Sequence, residues 1–250
     1  MSRIVTLTTD FGTADGYVGE MKGVVLARAP DATIVDITHD IPPQDVDYAR
    51  LTVARFWRRF PAGTVHLVVV DPGVGSPRAA LAVASDDRFL VGPDNGVLSA
   101  ALAHPGAIAI ALQVPSDASA TFHGRDVFAP AAAALARGEP LGSLGSPADD
   151  PTVRRTPEPV RRAGGVVEGE VVAIDRFGNA ITNLEGDGAT AVVVGHRTIP
   201  LRRTYAEVAI GEALAVVGSG GAIEISIRND SAARALHLSR GDKVTLRVES

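Results

Sequence analysis

Short apolar runs and longer amphipathic stretches alternate along the first 140 or so residues. Residues 3–9 (RIVTLTT), 33–38 (TIVDIT), 64–70 (TVHLVVV), 79–85 (AALAVAS), 88–93 (RFLVGP) and 107–113 (AIAIALQ) read as strands. Residues 15–29 (DGYVGEMKGVVLARA) place apolar side chains at helical spacing. Residues 45–60 (DVDYARLTVARFWRRF) open on an acid and close on bases, as a helix dipole favours. NGVLSAALA (95–103) predicts a short helix, and VFAPAAAALARG (127–138) a helix ended by glycine. Several strands are apolar on both faces. An α/β domain with a mainly parallel sheet flanked by helices is expected.

The texture changes after about residue 140. LGSLGSPADDPTVRRTPEPVRRAGG carries prolines, glycines and charges without a period. Beyond it come VVEGEVVAID, NAITNLE, ATAVVVG, RTIPLRRTYAEV, ALAVVGSGGAIEISI and KVTLRVE, short strands punctuated by glycine. They predict a small all-β barrel. The expected organisation is an N-terminal α/β domain over 1–147, a linker over 148–165 and a C-terminal β-barrel domain over 166–250.

Composition narrows the function classes. The chain has 250 residues, 46% apolar and 21% charged, with net charge −5. A basic cluster is missing, so a nucleic-acid surface is not expected. There is no cysteine, which excludes disulfides, thiolate chemistry and cysteine–zinc sites. The N-terminus does not read as a signal peptide, and no apolar run reaches the roughly 18 residues of a membrane span. A soluble cytoplasmic protein is expected.

Loops after the carboxyl ends of parallel strands collect chemistry. Four stand out: TTDFG with Asp10, DPGVGSPR with Asp71 and Arg78, GPDNG with Asp94 and Asn95, and TFHGRDVFAP with His123, Arg125 and Asp126. Each alone has a structural reading. An Asp after a strand is often a cap or turn former, and Arg125 and Asp126 are expected to pair with each other or cap the next helix. TDFG resembles the kinase metal-binding triplet, but the HRD loop, strand lysine and glycine-rich loop are missing. A topology that gathers strand ends would put Asp71, Arg78 and His123 around one pocket. Together they suit proton handling: an imidazole, a carboxylate that orients a water, and a guanidinium that fixes the carboxylate. In the second domain, IDRFGNAITN offers the flat face of Phe177 and the amide of Asn179 in a glycine-containing turn, a pairing that suits a nucleobase. SGGAIEISIRND lets backbone approach a ligand closely but lacks phosphate-loop spacing.

TTDFG, DPGVGSPR, GPDNG, FHGRDVFAP and DRFGNAITN, in this order, resemble the S-adenosyl-L-methionine (SAM) hydrolase family. That family is also called SAM hydroxide adenosyltransferase, formerly domain of unknown function 62, and is related to fluorinase and chlorinase. DPGVGSPR and FHGRDVFAP are its specific motifs here, and the resemblance spans about residues 4–248. It implies hydrolysis of SAM to adenosine and L-methionine by hydroxide attack at the ribose C5′, with SAM as substrate and no cofactor or metal. It implies a homotrimer with active sites at subunit interfaces, the N-domain of one chain facing the C-domain of its neighbour. The catalytic triad falls on Asp71, Arg78 and His123, and the ribose-diol carboxylate on Asp10. The adenine positions fall on Phe177 and Asn179, with backbone near Asn229 and Asp230. The methionine end falls near Asp15 and Ser219, although the next residue, Gly220, stands where the halogenating relatives have arginine. Those relatives have a tyrosine at the position of Asp71, so the carboxylate favours water over halide. The alternatives are a SAM-dependent halogenase, a non-catalytic adenosine- or SAM-binding protein, and a metal-dependent phosphohydrolase built on Asp10, Asp71, Asp94 and His123.

Overall fold

The structure is a computed structural model that describes residues 4–186 and 188–248. It divides into two compact units, residues 1–155 and 156–250. The first contains, in order, β1 (Ile4–Thr9), α1 (Tyr17–Arg28), β2 (Thr33–Thr38), α2 (Val46–Phe56), β3 (Val65–Val69), β4 (Ala80–Ser85), β5 (Arg88–Pro93), α3 (Ser99–Leu102), β6 (Ile108–Leu112), a π turn (Gly124–Phe128), α4 (Ala129–Ala136) and β7 (Gly145–Pro147).

These strands form one sheet in the order β2-β1-β3-β5-β4-β6-β7. The half around β1, β2, β3 and β5 is parallel, as the doubly apolar runs imply. The half from β5 through β4 and β6 to β7 is antiparallel, so the sheet is mixed. The reversal comes from a two-residue hairpin: Asp86 and Asp87 both have positive φ, 47° and 58°, the twist that closes antiparallel neighbours tightly. β3 is buried along its length and splits its side chains between two cores. Val65, Leu67 and Val69 pack with Met21, Val25 and Phe128 on the α1–α4 face. Val68, the following Val70 and Leu90 pack with Val53, Trp57 and Leu98 on the α2–α3 face. Asp45 caps α2 through the Tyr48 N–H, as its acidic start predicts.

Part of the stretch expected as a linker is bound to this unit. The Thr152 N–H donates to Asp94 at 2.7 Å and the Arg154 N–H to Ser99 at 2.8 Å. The remainder supplies an edge strand of the second unit.

That unit contains β8 (Val160–Arg162), β9 (Val166–Ile174), β10 (Ala180–Glu185), β11 (Ala189–Val194), β12 (Arg197–Arg202), β13 (Ala213–Val217), β14 (Ala222–Ile227), α5 (Ala232–Leu236) and β15 (Lys243–Val248). The strand order is β10-β14-β13-β12-β11-β15-β9-β8, and a β9–β10 pairing closes seven of the eight into a barrel with β8 outside. Val171, Leu184, Val192, Ile223, Ile225 and Val244 fill it. RTIPLRRTYAEV is not strand throughout. β12 stops at Arg202, and Tyr205–Glu207 forms a 3₁₀ turn held by a Thr204–Glu207 capping box.

Candidate functional site

β1 and β3 are adjacent and parallel, with Thr9 in register with Val69. Asp10 and Asp71 therefore both lie past carboxyl ends of neighbouring strands, where open α/β sheets place ligands. After β3 the chain folds back in two successive turns: the Val74 N–H donates to the Asp71 carbonyl and the Ser76 N–H to the Gly73 carbonyl. Gly75 has φ of 76°, and a Cβ there would collide with the Ala120 carbonyl oxygen. These turns return Arg78 to Asp71.

The resulting contact is bidentate. Arg78 Nε donates to Asp71 Oδ1 at 2.9 Å, and Arg78 Nη2 donates to Asp71 Oδ2. Both side chains are buried, 9% and 5% exposed. Arg78 Nη1 donates to the Ala79 carbonyl at 3.1 Å. The third member arrives from far along the chain: Arg78 Nη2 lies 3.0 Å from His123 Nδ1. A guanidinium has only donors, so His123 Nδ1 carries the lone pair and Nε2 the proton. Burial holds the His123 pKa below the ordinary imidazole value, and the neighbouring Arg78 charge adds to this; Asp71 and Asp126 oppose it. His123 is therefore neutral near pH 7, with Nε2–H as a free donor. The triad expected from the motifs is one connected network.

Asp10 is held separately. The Gln44 N–H donates to Asp10 Oδ2 at 2.7 Å, and Gln44 has φ of 66°, strained for a residue other than glycine. Asp15 is exposed in the loop before α1. Asp94 is engaged by Thr152, and Asn95 bridges the Val70 carbonyl and the Val97 N–H. The GPDNG loop thus fastens the end of β3. Arg125 donates to both Asp126 oxygens and to Glu20, as the pairing expectation required. Among the described residues, no group of three or more His, Cys, Asp or Glu is arranged to hold a metal ion.

The second unit contains its own cleft of about 820 Å³, lined by Phe177, Asn179, Tyr205, Asn229, Asp230 and Arg234 among others. The turn before β10 is built on Asp175. Its Oδ1 accepts the Phe177 and Asn179 N–H groups, and its Oδ2 accepts Asn179 Nδ2 at 2.9 Å. This ties down the buried Asn179 amide through its Nδ2 and leaves Phe177 77% exposed. Gly178 has φ of 83°, and a side chain there would strike Ser231. Asn229 is left-handed at φ 62°. Asp230 Oδ1 accepts from both the Ser231 N–H and Arg234, which ties that carboxylate to the start of α5. Ser219 lies in the β13–β14 turn and is not among the residues lining this cleft. Sequence reasoning missed Tyr205. The signal was Thr204-x-x-Glu207, a capping-box spacing that marks a helical turn and sets Tyr205 at its start.

Comparison with known proteins bears on both units. The SAM hydroxide adenosyltransferase N-terminal domain matches residues 5–145, and the C-terminal domain of the same name matches residues 169–245. A Thermus thermophilus protein named (R)-S-adenosyl-L-methionine hydrolase is 42% identical, covering 98% of this chain and 99% of its own. One of the same name from Salinispora tropica is 39% identical over 96% of each. A fluorinase from an Actinoplanes species is more distant, 26% identical over 97% of each. A crystal structure of an uncharacterized conserved protein from Thermotoga maritima superposes with a TM-score of 0.88 at 35% identity, covering 98% of this chain and 99% of that one. With both domain models matched in order along one chain, the protein belongs to the SAM hydroxide adenosyltransferase family.

Proposed function

We propose that this protein hydrolyses S-adenosyl-L-methionine to adenosine and L-methionine, with a water-derived hydroxide displacing the sulfonium at the ribose C5′. The observation that carries the proposal is the buried Asp71–Arg78–His123 network in a member of this family. Arg78 takes one lone pair from each Asp71 oxygen and locks the carboxylate plane. The remaining lone pairs accept hydrogen bonds from a water. His123 Nε2–H donates to that water's oxygen, so the water is held from two sides and aimed. As the O–C5′ bond forms and the C5′–S bond breaks, the sulfur keeps the bonding pair and becomes a neutral thioether. The water's proton passes to Asp71 and then to solvent. Sulfonium is a good leaving group, so positioning supplies most of the effect.

Asp10, steadied by the Gln44 N–H, takes the ribose diol. Phe177 stacks on adenine, and Asn179 presents its carbonyl oxygen to the exocyclic amine, with the backbone near Asn229 and Asp230 completing the base site. Asp15 and Ser219 face the methionine arm. We read the enzyme as a cytoplasmic homotrimer in which the N-terminal unit of one chain works with the C-terminal unit of a neighbour, needing no cofactor. The curated relatives are named for the R epimer at sulfur. Displacement at C5′ has the same geometry for either epimer, so the choice between them falls to contacts with the methionine arm.

The test is to incubate each SAM epimer with the protein in halide-free buffer, with and without EDTA, and follow adenosine and methionine by chromatography. Adenosine in both buffers, from the R epimer preferentially, is expected. Binding without adenosine from either epimer would sink the proposal. Sedimentation velocity decides the trimer.

A further inference from the structure

We infer that Phe128 is a positioning residue for this reaction: its ring, swung round by the π turn, fixes the Arg78 guanidinium and the His123 imidazole where they meet Asp71. Its kinetic arm rests on the hydrolase reading above; its structural arm does not.

Phe128 is fully buried. The Arg78 guanidinium carbon lies 5.4 Å from the centre of its ring, a cation–π contact. The His123 ring stands 6.4 Å away at 76°, edge to face. Arg78 spends N–H groups on Asp71, Ala79 and His123, and the Phe128 ring packs against the guanidinium carbon between them.

The backbone explains how one ring reaches both groups. His123 and Phe128 are five residues apart, which in an α-helix sets them about 140° apart around the axis. Here the chain inserts a π turn, Gly124–Phe128, and the Ala129 N–H bonds to the Gly124 carbonyl, five residues back. The wider turn brings the fifth residue beneath the first. Such turns concentrate at functional sites. The turn is also clamped: a Cβ on Gly124 would sit 3.2 Å from Met21 Sδ and from a Phe122 ring carbon, so its register has little slack.

The test compares Phe128→Leu with Leu98→Ala, a buried truncation in the core on the opposite face of the sheet. Phe128→Leu is expected to lower kcat roughly tenfold with KM within about twofold, the scale of losing a desolvated cation–π contact. In the same variant without substrate, the His123 titration followed by NMR should move up toward the ordinary imidazole value as the site loosens. Leu98→Ala should lower the melting temperature and leave both readouts unchanged. An unchanged kcat and His123 titration in Phe128→Leu, or the same two changes in Leu98→Ala, would overturn the assignment. If Phe128→Leu does not fold, Phe128→Met, closer in volume, carries the same comparison. If the wild-type protein makes no adenosine, the hydrolase reading fails and the NMR comparison alone decides the role of Phe128.

Discussion

Replacing Asp71 by asparagine perturbs stability and rate through different routes, and the structure lets the two be separated. Asp71 and Arg78 form a bidentate pair with both side chains nearly out of solvent. Asparagine keeps one acceptor but turns an amide NH₂ toward the guanidinium, donor against donor. Breaking one partner of a buried ion pair costs about 3–5 kcal/mol, chiefly because the surviving charge is stranded. The rate should fall by roughly 10²–10⁴, the range for losing a positioned proton acceptor. Adenosine release at saturating substrate reads the rate, and urea denaturation reads the stability. The double variant Asp71→Asn/Arg78→Met no longer strands a cation, so it should regain much of the stability and none of the rate. A folded Asp71→Asn enzyme within tenfold of wild type would refute the assigned role, as would a double variant that recovers turnover.

Other expectations follow from the same geometry. Phe177→Ala should raise KM roughly 5- to 150-fold, the scale of one base-stacking contact, while the melt hardly moves because the ring is already exposed. EDTA should leave the rate of adenosine release unchanged; a chelator-sensitive rate would revive the phosphohydrolase alternative. His66 is buried between Phe56 and Phe60, its Nε2–H donating to the Trp57 carbonyl and its Nδ1 accepting from Thr6, and burial depresses its pKa to about 4. Its contribution to stability is complete above the unfolded value near 6.5, shrinks as pH falls from 6.5 to 4, and levels off below. Roughly 3 kcal/mol is at stake, and in urea melts the wild type should lose about that much more stability than His66→Gln between pH 6.5 and 4; parallel pH profiles would refute the reasoning.

What was legible in the sequence is what local spacing determines. Asp71 and Arg78 stand at the two ends of one eight-residue stretch whose prolines and glycines announce its folding back, so their pairing follows from DPGVGSPR itself. The Asp175 turn that presents Phe177 and Asn179 is local in the same sense. His123 is 45 residues from Arg78, and only a topology that stacks α4 against β3 brings them together; the expectation that strand-end loops gather grouped the three, the motif resemblance fell on the same three, and periodicity alone did neither. The antiparallel half of the sheet was missed although Asp86-Asp87 carried the signal, because adjacent acids were not weighed as a left-handed hairpin. Phe128 was invisible for a different reason. VFAPAAAALARG reads as an apolar helix in which Phe128 is ordinary core, and a single extra residue in one turn leaves no trace in hydrophobic period.

In the proposed mechanism the same network accounts for a preference for water over halide. Simple repulsion is an incomplete account, because Arg78 neutralises Asp71 at contact distance. Hydrogen-bond bookkeeping decides more firmly. With Arg78 using one lone pair on each oxygen, Asp71 still offers acceptors, while the His123 tautomer fixed by Arg78 offers one donor. In the proposed arrangement a water would satisfy both, donating to Asp71 and accepting from His123. A halide ion only accepts: it can take the His123 N–H but leaves the Asp71 lone pairs facing an anion, desolvated and unpaired, at a cost of order 1–3 kcal/mol per group or more for charge. Removing the carboxylate alone should therefore not create a halogenase, because the guanidinium and imidazole it orders would lose their alignment with it. Asp71→Tyr should release neither adenosine nor a halogenated nucleoside at wild-type rates in molar chloride. Substantial chlorinated product from that single change would show that the pocket, and not the hydrogen-bond pattern of the network, selects the nucleophile.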